Sequence, residues 1–155
     1  MDIGDLLADG GVVLRSGASP KRQALHVVAD AAAQALGMSE ARVLEALLER
    51  EALGSTGLGS GVAVPHARLE GVSRVTAVFV RLDTPVAYGS VDDRPVDLLF
   101  ALFAPPSDGA EHLRALAAVS RALRSSEMRE QLRQAHTTDA IRALFVRDQV
   151  PATAA

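Results

Sequence analysis

His66 is the side chain on which chemistry is most readily placed. It follows Val62-Ala63-Val64-Pro65 directly, behind a stretch that carries Gly54, Gly57, Gly59 and Gly61. A neutral imidazole, with an ordinary pKa near 6.5, offers a ring-nitrogen lone pair that can attack phosphorus. The product is a phosphoramidate, whose high transfer potential suits a relay. Such a transfer depends mostly on positioning and on donors around three anionic oxygens. Backbone amides of Gly57, Gly59 and Gly61 are candidates for a phosphate-binding nest. Arg50, sixteen residues before His66, brings a guanidinium suited to forked hydrogen bonds with a phosphoryl group. His112 opens a later helix and is placed to orient His66 or to touch a phosphate oxygen.

Each of these has a plainer explanation. His66 can be a histidine hydrogen-bonded at a strand end, and the glycines a tight connection. Arg50 can be a solvated charge favoured by a helix C-terminus, and His112 a packing histidine. Nucleotide binding fits poorly. Gly54 and Gly59 have phosphate-loop spacing, but Ser60 stands where the lysine is required, and Pro65 blocks the helix that a dinucleotide fingerprint needs. Adjacent Asp92 and Asp93 in a turn are not paired acids facing across a sugar cleft. The histidines lack the one-helix spacing of a zinc site, and His26 and His136 receive no role.

The elements that must position these residues can be read from periodicity. Val12-Val13-Leu14 predicts a strand. Leu25, Val28, Ala29, Ala32 and Leu36 recur at helical spacing and stop at Gly37, a C-cap. Ser39 opens a second helix with Val43, Leu44, Leu47 and Leu48 inside, so that Arg50 falls near its end. Val62-Ala63-Val64 is a short buried strand. Val75–Leu82, apolar on both faces, is an interior strand ended by Thr84-Pro85, with Val86-Ala87-Tyr88 as an edge piece. Val96–Ala104 is expected to be the central strand. A helix then follows with Leu113, Leu116, Ala117, Ser120 and Leu123 on one face. Ser125 caps a further helix to about Ala135, and Thr137-Thr138-Asp139 begins a last one with Ile141, Leu144 and Phe145. Grouped strands between helical ends predict a sheet covered on both faces. Residues 1–150 are read as one domain and 151–155 as a frayed tail.

Bulk properties narrow the possibilities. The 155 residues are 48% apolar but only 3% aromatic, so aliphatic side chains must fill the core. A net charge of −3 gives no basic field for nucleic acid, and the absence of cysteine excludes disulfides and thiolate chemistry. The acidic N-terminus lacks the layout of a secretion signal. No apolar run approaches the roughly 20 residues that span a bilayer. The expectation is a cytoplasmic protein.

The run Gly54-Ser-Thr-Gly-Leu-Gly-Ser-Gly-Val-Ala-Val-Pro-His66 resembles the enzyme IIA domains of the bacterial phosphoenolpyruvate-dependent phosphotransferase system, fructose/mannitol class. The likeness extends to Leu47–Glu51, Thr84–Tyr88, Pro95–Leu102 and His112-Leu113, and is greatest to the nitrogen-regulatory branch. It implies a three-layer α/β/α sandwich with a mixed central sheet. It implies that His66 is phosphorylated, on Nε2, with Arg50 as the active-site arginine and His112 as the second histidine, and no cofactor or metal. The donor would be a phosphohistidine on the small carrier HPr or its nitrogen-branch counterpart NPr, docking over an apolar rim of Leu58, Val62 and Ala67. Regulatory members signal by phosphorylation state to targets such as potassium transporters and sensor kinases. The alternatives are a sugar-specific IIA that passes phosphate to a IIB domain, and a partner-binding module that is not phosphorylated. Ala67-Arg68 departs from the Gly-Lys or Gly-Thr frequent in relatives.

Overall fold

In a computed structural model of the chain, the described residues are 2–147. The expected tail, 151–155, lies outside them. The elements run α1 (Ile3–Leu6), β1 (Leu7–Arg15), α2 (Lys21–Leu36), α3 (Glu40–Ala52), β2 (Gly57–Gly59), β3 (Val62–Ala63), β4 (His66–Arg68), β5 (Thr76–Val86), β6 (Val96–Ala104), α4 (Gly109–Leu123), α5 (Ser126–Gln134) and α6 (Thr138–Arg147). The sheet order is β1-β5-β6-β3-β2, and β4 also pairs with β6. β1 runs parallel to β5, β5 antiparallel to β6, and β3 and β4 parallel to β6, so the sheet is mixed.

Side chains alternate across this sheet into two cores, as a pleat requires. Val78, Val80, Leu99, Ala101 and Phe103 point towards α2 and α3, where Leu25, Val28, Val43 and Leu47 meet them. Ala77, Phe79, Leu98, Phe100 and Leu102 point the other way, towards Val119, Leu132, Ile141 and Phe145 of α4 to α6. The expected three-layer sandwich is therefore the observed architecture. β6 is buried along its whole length apart from Asp97, which explains its nearly unbroken apolar run. Among the described residues, no helix is long and apolar enough to cross a membrane.

Local signals set the helix ends. Gly37 takes the left-handed conformation after α2, and Ser39 and Ser125 accept from the amides of Arg42 and Met128. Arg133 of α5 donates to both carboxylate oxygens of Asp97, at 2.8 and 2.9 Å, and to the Ser60 carbonyl at 2.7 Å. That clamp ties the β2–β3 hairpin to the central strand just upstream of His66.

Three expectations need correction. β5 does not stop at Thr84-Pro85. It continues to Val86, which pairs with Val96 after a register shift, and proline is tolerated in a strand at such an irregularity. The glycine-rich stretch forms the β2–β3 hairpin rather than an open loop. On α4 the inner face holds His112, Ala115, Val119, Ala122 and Leu123, whereas Leu113 and Ala117 are exposed and Leu116 and Ser120 half-buried. Small residues let the helix lie close to the sheet, and the larger leucines are left outside. The helix α1 and the strand β4 carry no periodic signal, being four and three residues long.

The second core closes around Phe79, Phe100 and Phe145, whose rings meet at 5.1–6.2 Å between centroids. Phe145→Ala is expected to cost about 3–5 kcal/mol by leaving a cavity. An unchanged midpoint in urea-induced unfolding would contradict that packing.

Candidate active site

His66 reaches its position through the interruption between β3 and β4. Both strands pair with β6, at Leu98-Leu99 and at Leu102–Ala104, and Val64-Pro65 bridges them. Proline has no N–H to offer, but its carbonyl accepts from Leu102 N at 3.0 Å, which holds the register. Val64 N donates to the Thr56 carbonyl at 3.0 Å. The Val64 carbonyl, lying between the two strands, is 2.8 Å from His66 Nδ1. A carbonyl can only accept, so Nδ1 carries the proton and Nε2 keeps its lone pair.

Arg50, in the last turn of α3, meets that lone pair. Its Nε donates to His66 Nε2 at 3.2 Å and its Nη1 to the Gly54 carbonyl at 2.8 Å. The guanidinium thus closes the helix C-terminus and touches the imidazole at once. Behind it lies a buried carboxylate. Glu51, with a side chain only 6% exposed, accepts from Tyr88 Oη at 3.1 Å, Thr56 N at 3.2 Å and the Thr56 hydroxyl, and pairs with Lys21 Nζ at 2.8 Å. Lys21 also lies 4.2 Å from the centre of the Tyr88 ring. This cluster anchors Thr56, whose carbonyl in turn holds Val64.

The two histidines meet edge to face, 5.4 Å between ring centres. His112 is 5% exposed, and its buried Nε2 has no hydrogen-bond partner. Burial pulls the His112 pKa down to about 4, helped by the nearby His66 and the Arg68 guanidinium. Burial also lowers that of His66, and Arg50 acts in the same sense against the Val64 and Glu51 contacts that favour protonation. Both rings are neutral at pH 7, as a nitrogen nucleophile requires.

These groups line an open pocket of about 430 Å³ between the end of α3, β4 and the start of α4. The structure thus brings together His66, Arg50 and His112. Gly57, Gly59 and Gly61 do not line it; they lie against Ser90, Asp92 and the Arg133–Asp97 pair. The expected apolar rim also needs correction. Val62 and Ala67 are buried, and Leu58 borders a separate cleft. The exposed apolar edge of the pocket is Leu53, 85% accessible, and Leu113, 66% accessible, with Leu116 between. Arg68 lines the pocket as well, a place that residue type and spacing alone do not reveal. It sits two residues beyond His66 on one strand, so the signal becomes visible only once β4 is known. Among the described residues, no group of three His, Cys, Asp or Glu side chains gathers where a metal could sit.

A mixed sheet thus lies between helical layers, with a neutral imidazole backed by an arginine in an open pocket at one end. The chain matches the family model of the phosphoenolpyruvate-dependent sugar phosphotransferase system, EIIA 2, over residues 5–147, and belongs to that family. It is 41% identical to a nitrogen regulatory protein of Bradyrhizobium diazoefficiens over 155 residues, all of both chains. The solved structure of nitrogen regulatory protein IIA-Ntr from Neisseria meningitidis is similar at a TM-score of 0.86 and 34% identity, covering 92% of this chain and 98% of that one. IIA mannitol from Escherichia coli is similar at 0.73 and 25% identity, covering 88% and 96%.

The suppressed basicity of His112 has a consequence for stability. Between pH 6.5 and about 4 the unfolded chain binds a proton that the folded His112 refuses, so its contribution to stability falls as pH falls through that window. Replacing it by His112→Gln is expected to flatten the dependence of Tm on pH between 6.5 and 4. An identical slope in the variant would contradict the burial of an uncharged ring.

Proposed function

We propose that this protein is a regulatory phosphocarrier in which His66 accepts a phosphoryl group on Nε2 from the phosphohistidine of a small carrier, HPr or NPr. The observation that carries this reading is the pairing of His66 Nδ1 with the Val64 carbonyl, which leaves Nε2 unprotonated and accepting from Arg50. In the transfer, the donor N–P bond breaks with its electron pair returning to the donor imidazole, and the His66 Nε2 lone pair forms the new N–P bond. With the donor ring carrying a proton on its other nitrogen, as His66 does on Nδ1, it leaves as neutral imidazole and no proton has to cross between the rings. Arg50 exchanges its bond to Nε2 for bonds to phosphoryl oxygens, and His112 borders the same space. Preorganised charge of this kind is the main catalytic resource of phosphoryl transfer. Leu53, Leu113 and Leu116 offer the carrier an apolar landing around the nucleophile, in the cytoplasm where such carriers operate. Relatives named nitrogen regulatory proteins support signalling by phosphorylation state, with potassium transporters and sensor kinases as candidate targets.

A sugar-specific role is the second reading, favoured by the likeness to IIA mannitol. It predicts onward transfer to a IIB domain, which the regulatory reading does not require.

Incubation with phosphoenolpyruvate, enzyme I and the carrier is expected to place one acid-labile phosphate on the wild type and none on His66→Ala. Phosphate on the alanine variant would overturn the assignment. Arg50→Ala is expected to retain the wild-type circular dichroism but slow transfer by about 10²–10³-fold, the usual loss on removing a preorganised donor. An unchanged rate would remove Arg50 from the site.

A further inference from the structure

Three charged side chains line the pocket, Glu49, Arg50 and Arg68; Arg50 is engaged, and among the described residues no hydrogen bond or ion pair holds the Arg68 guanidinium. Side chains alternate along a strand, so Arg68 projects on the same side of β4 as His66, in register with Ala104 as His66 is with Leu102. Its guanidinium lies against the first residue of α4: a Cβ built on Gly109 would stand 3.3 Å from Arg68 Nη2. Helix N-termini carry partial positive charge and disfavour cations. The acidic groups at the start of α4 are otherwise engaged, and Glu49, which also lines the pocket, makes no ion pair with Arg68. Asp108 caps the Glu111 amide at 3.4 Å, and Glu111 pairs with Arg114. Among the described residues, no carboxylate forms an ion pair with Arg68. Beside it, the Nε2 atom of the almost fully buried His112, which lines the same pocket, is also unpartnered.

A guanidinium without an acceptor and an unpaired imidazole nitrogen, at a positive helix end, border the space next to the nucleophile. A phosphoryl group on His66 would bring close to two negative charges and three acceptor oxygens into that space. Arg50 alone can neutralise only one of those charges. We propose that Arg68 is a second phosphoryl-binding arginine, closing on the phosphoryl oxygens from the side opposite Arg50 once His66 is modified. The proposal rests on the phosphocarrier reading of His66. It assigns Arg68 to the phosphorylated ground state, so that this pocket holds its phosphate more tightly than one without a guanidinium at that position.

The equilibrium constant of the transfer separates this role from carrier docking. Contacts made only in the encounter complex change forward and reverse rates alike and cancel from the equilibrium between the free proteins. Purified phosphorylated carrier, mixed with each variant, gives the phosphate distribution at equilibrium and the rates of approach. Arg68→Met is expected to lower the phosphorylated fraction in a way that corresponds to about a tenfold smaller equilibrium constant, the scale of one hydrogen bond to a charged group. Arg68→Lys, which keeps the charge and loses the fork, is expected to recover part of it. An unchanged equilibrium constant with both rates reduced would make Arg68 a docking residue and overturn the proposal, as would unchanged rates and equilibrium together. Failure of the wild type itself to take phosphate would instead sink the reading of His66.

Discussion

The hydrogen bond between His66 Nδ1 and the Val64 carbonyl decides which nitrogen of the ring keeps its lone pair. It exists because the chain leaves the sheet for two residues between β3 and β4, so that one carbonyl is available to a side chain two positions on. Much of the surrounding structure keeps that interruption in place. β6 supplies ladder partners on both sides of it. The Arg133–Asp97 pair holds the hairpin upstream, and the buried Glu51 cluster holds Thr56, whose carbonyl fixes Val64. Rigid support of this sort is what a preorganised site requires.

The second constraint is electrostatic. The pocket is lined by two guanidiniums, two imidazoles and the Glu49 carboxylate, and burial keeps both rings uncharged. A neutral ring is a nucleophile, whereas a protonated one is not. The arginines supply fixed positive charge where an anionic group would arrive, without protonating the atom that must attack. A site arranged in this way is poised for an anion that comes and goes, which is the property a reversible phosphate relay needs.

Most of the architecture was legible because long segments carry strong periods. The two-sided apolar runs of β5 and β6, the Gly37 and Ser39 boundaries and the caps of α5 and α6 all emerged from pattern and turn chemistry. Among short elements β3 was legible from Val62-Ala63-Val64, whereas β2 owes its existence to pairing with β3 and β4 to pairing with β6. The glycines, expected as a phosphate nest, lie away from the pocket of His66 and are closely packed in the hairpin. On α4 the rule that large apolar residues turn inwards misplaced Leu113. The helix instead buries alanine and valine to approach the sheet closely, which leaves leucine for the rim of the pocket. His66, Arg50 and His112 were found from residue type and family likeness, and their meeting in space is the work of tertiary structure. Arg68 needed β4, and Glu51 needed the fold of the loop around Thr56.

The claim on which everything else rests is the tautomer of one ring. Long-range proton–nitrogen correlation spectra of the protein labelled with ¹⁵N on histidine, recorded at pH 7.5, test it directly. The account predicts that His66 is neutral with its proton on Nδ1 and an unprotonated Nε2. A neutral His66 protonated on Nε2, or a ring protonated on both nitrogens at that pH, would contradict it.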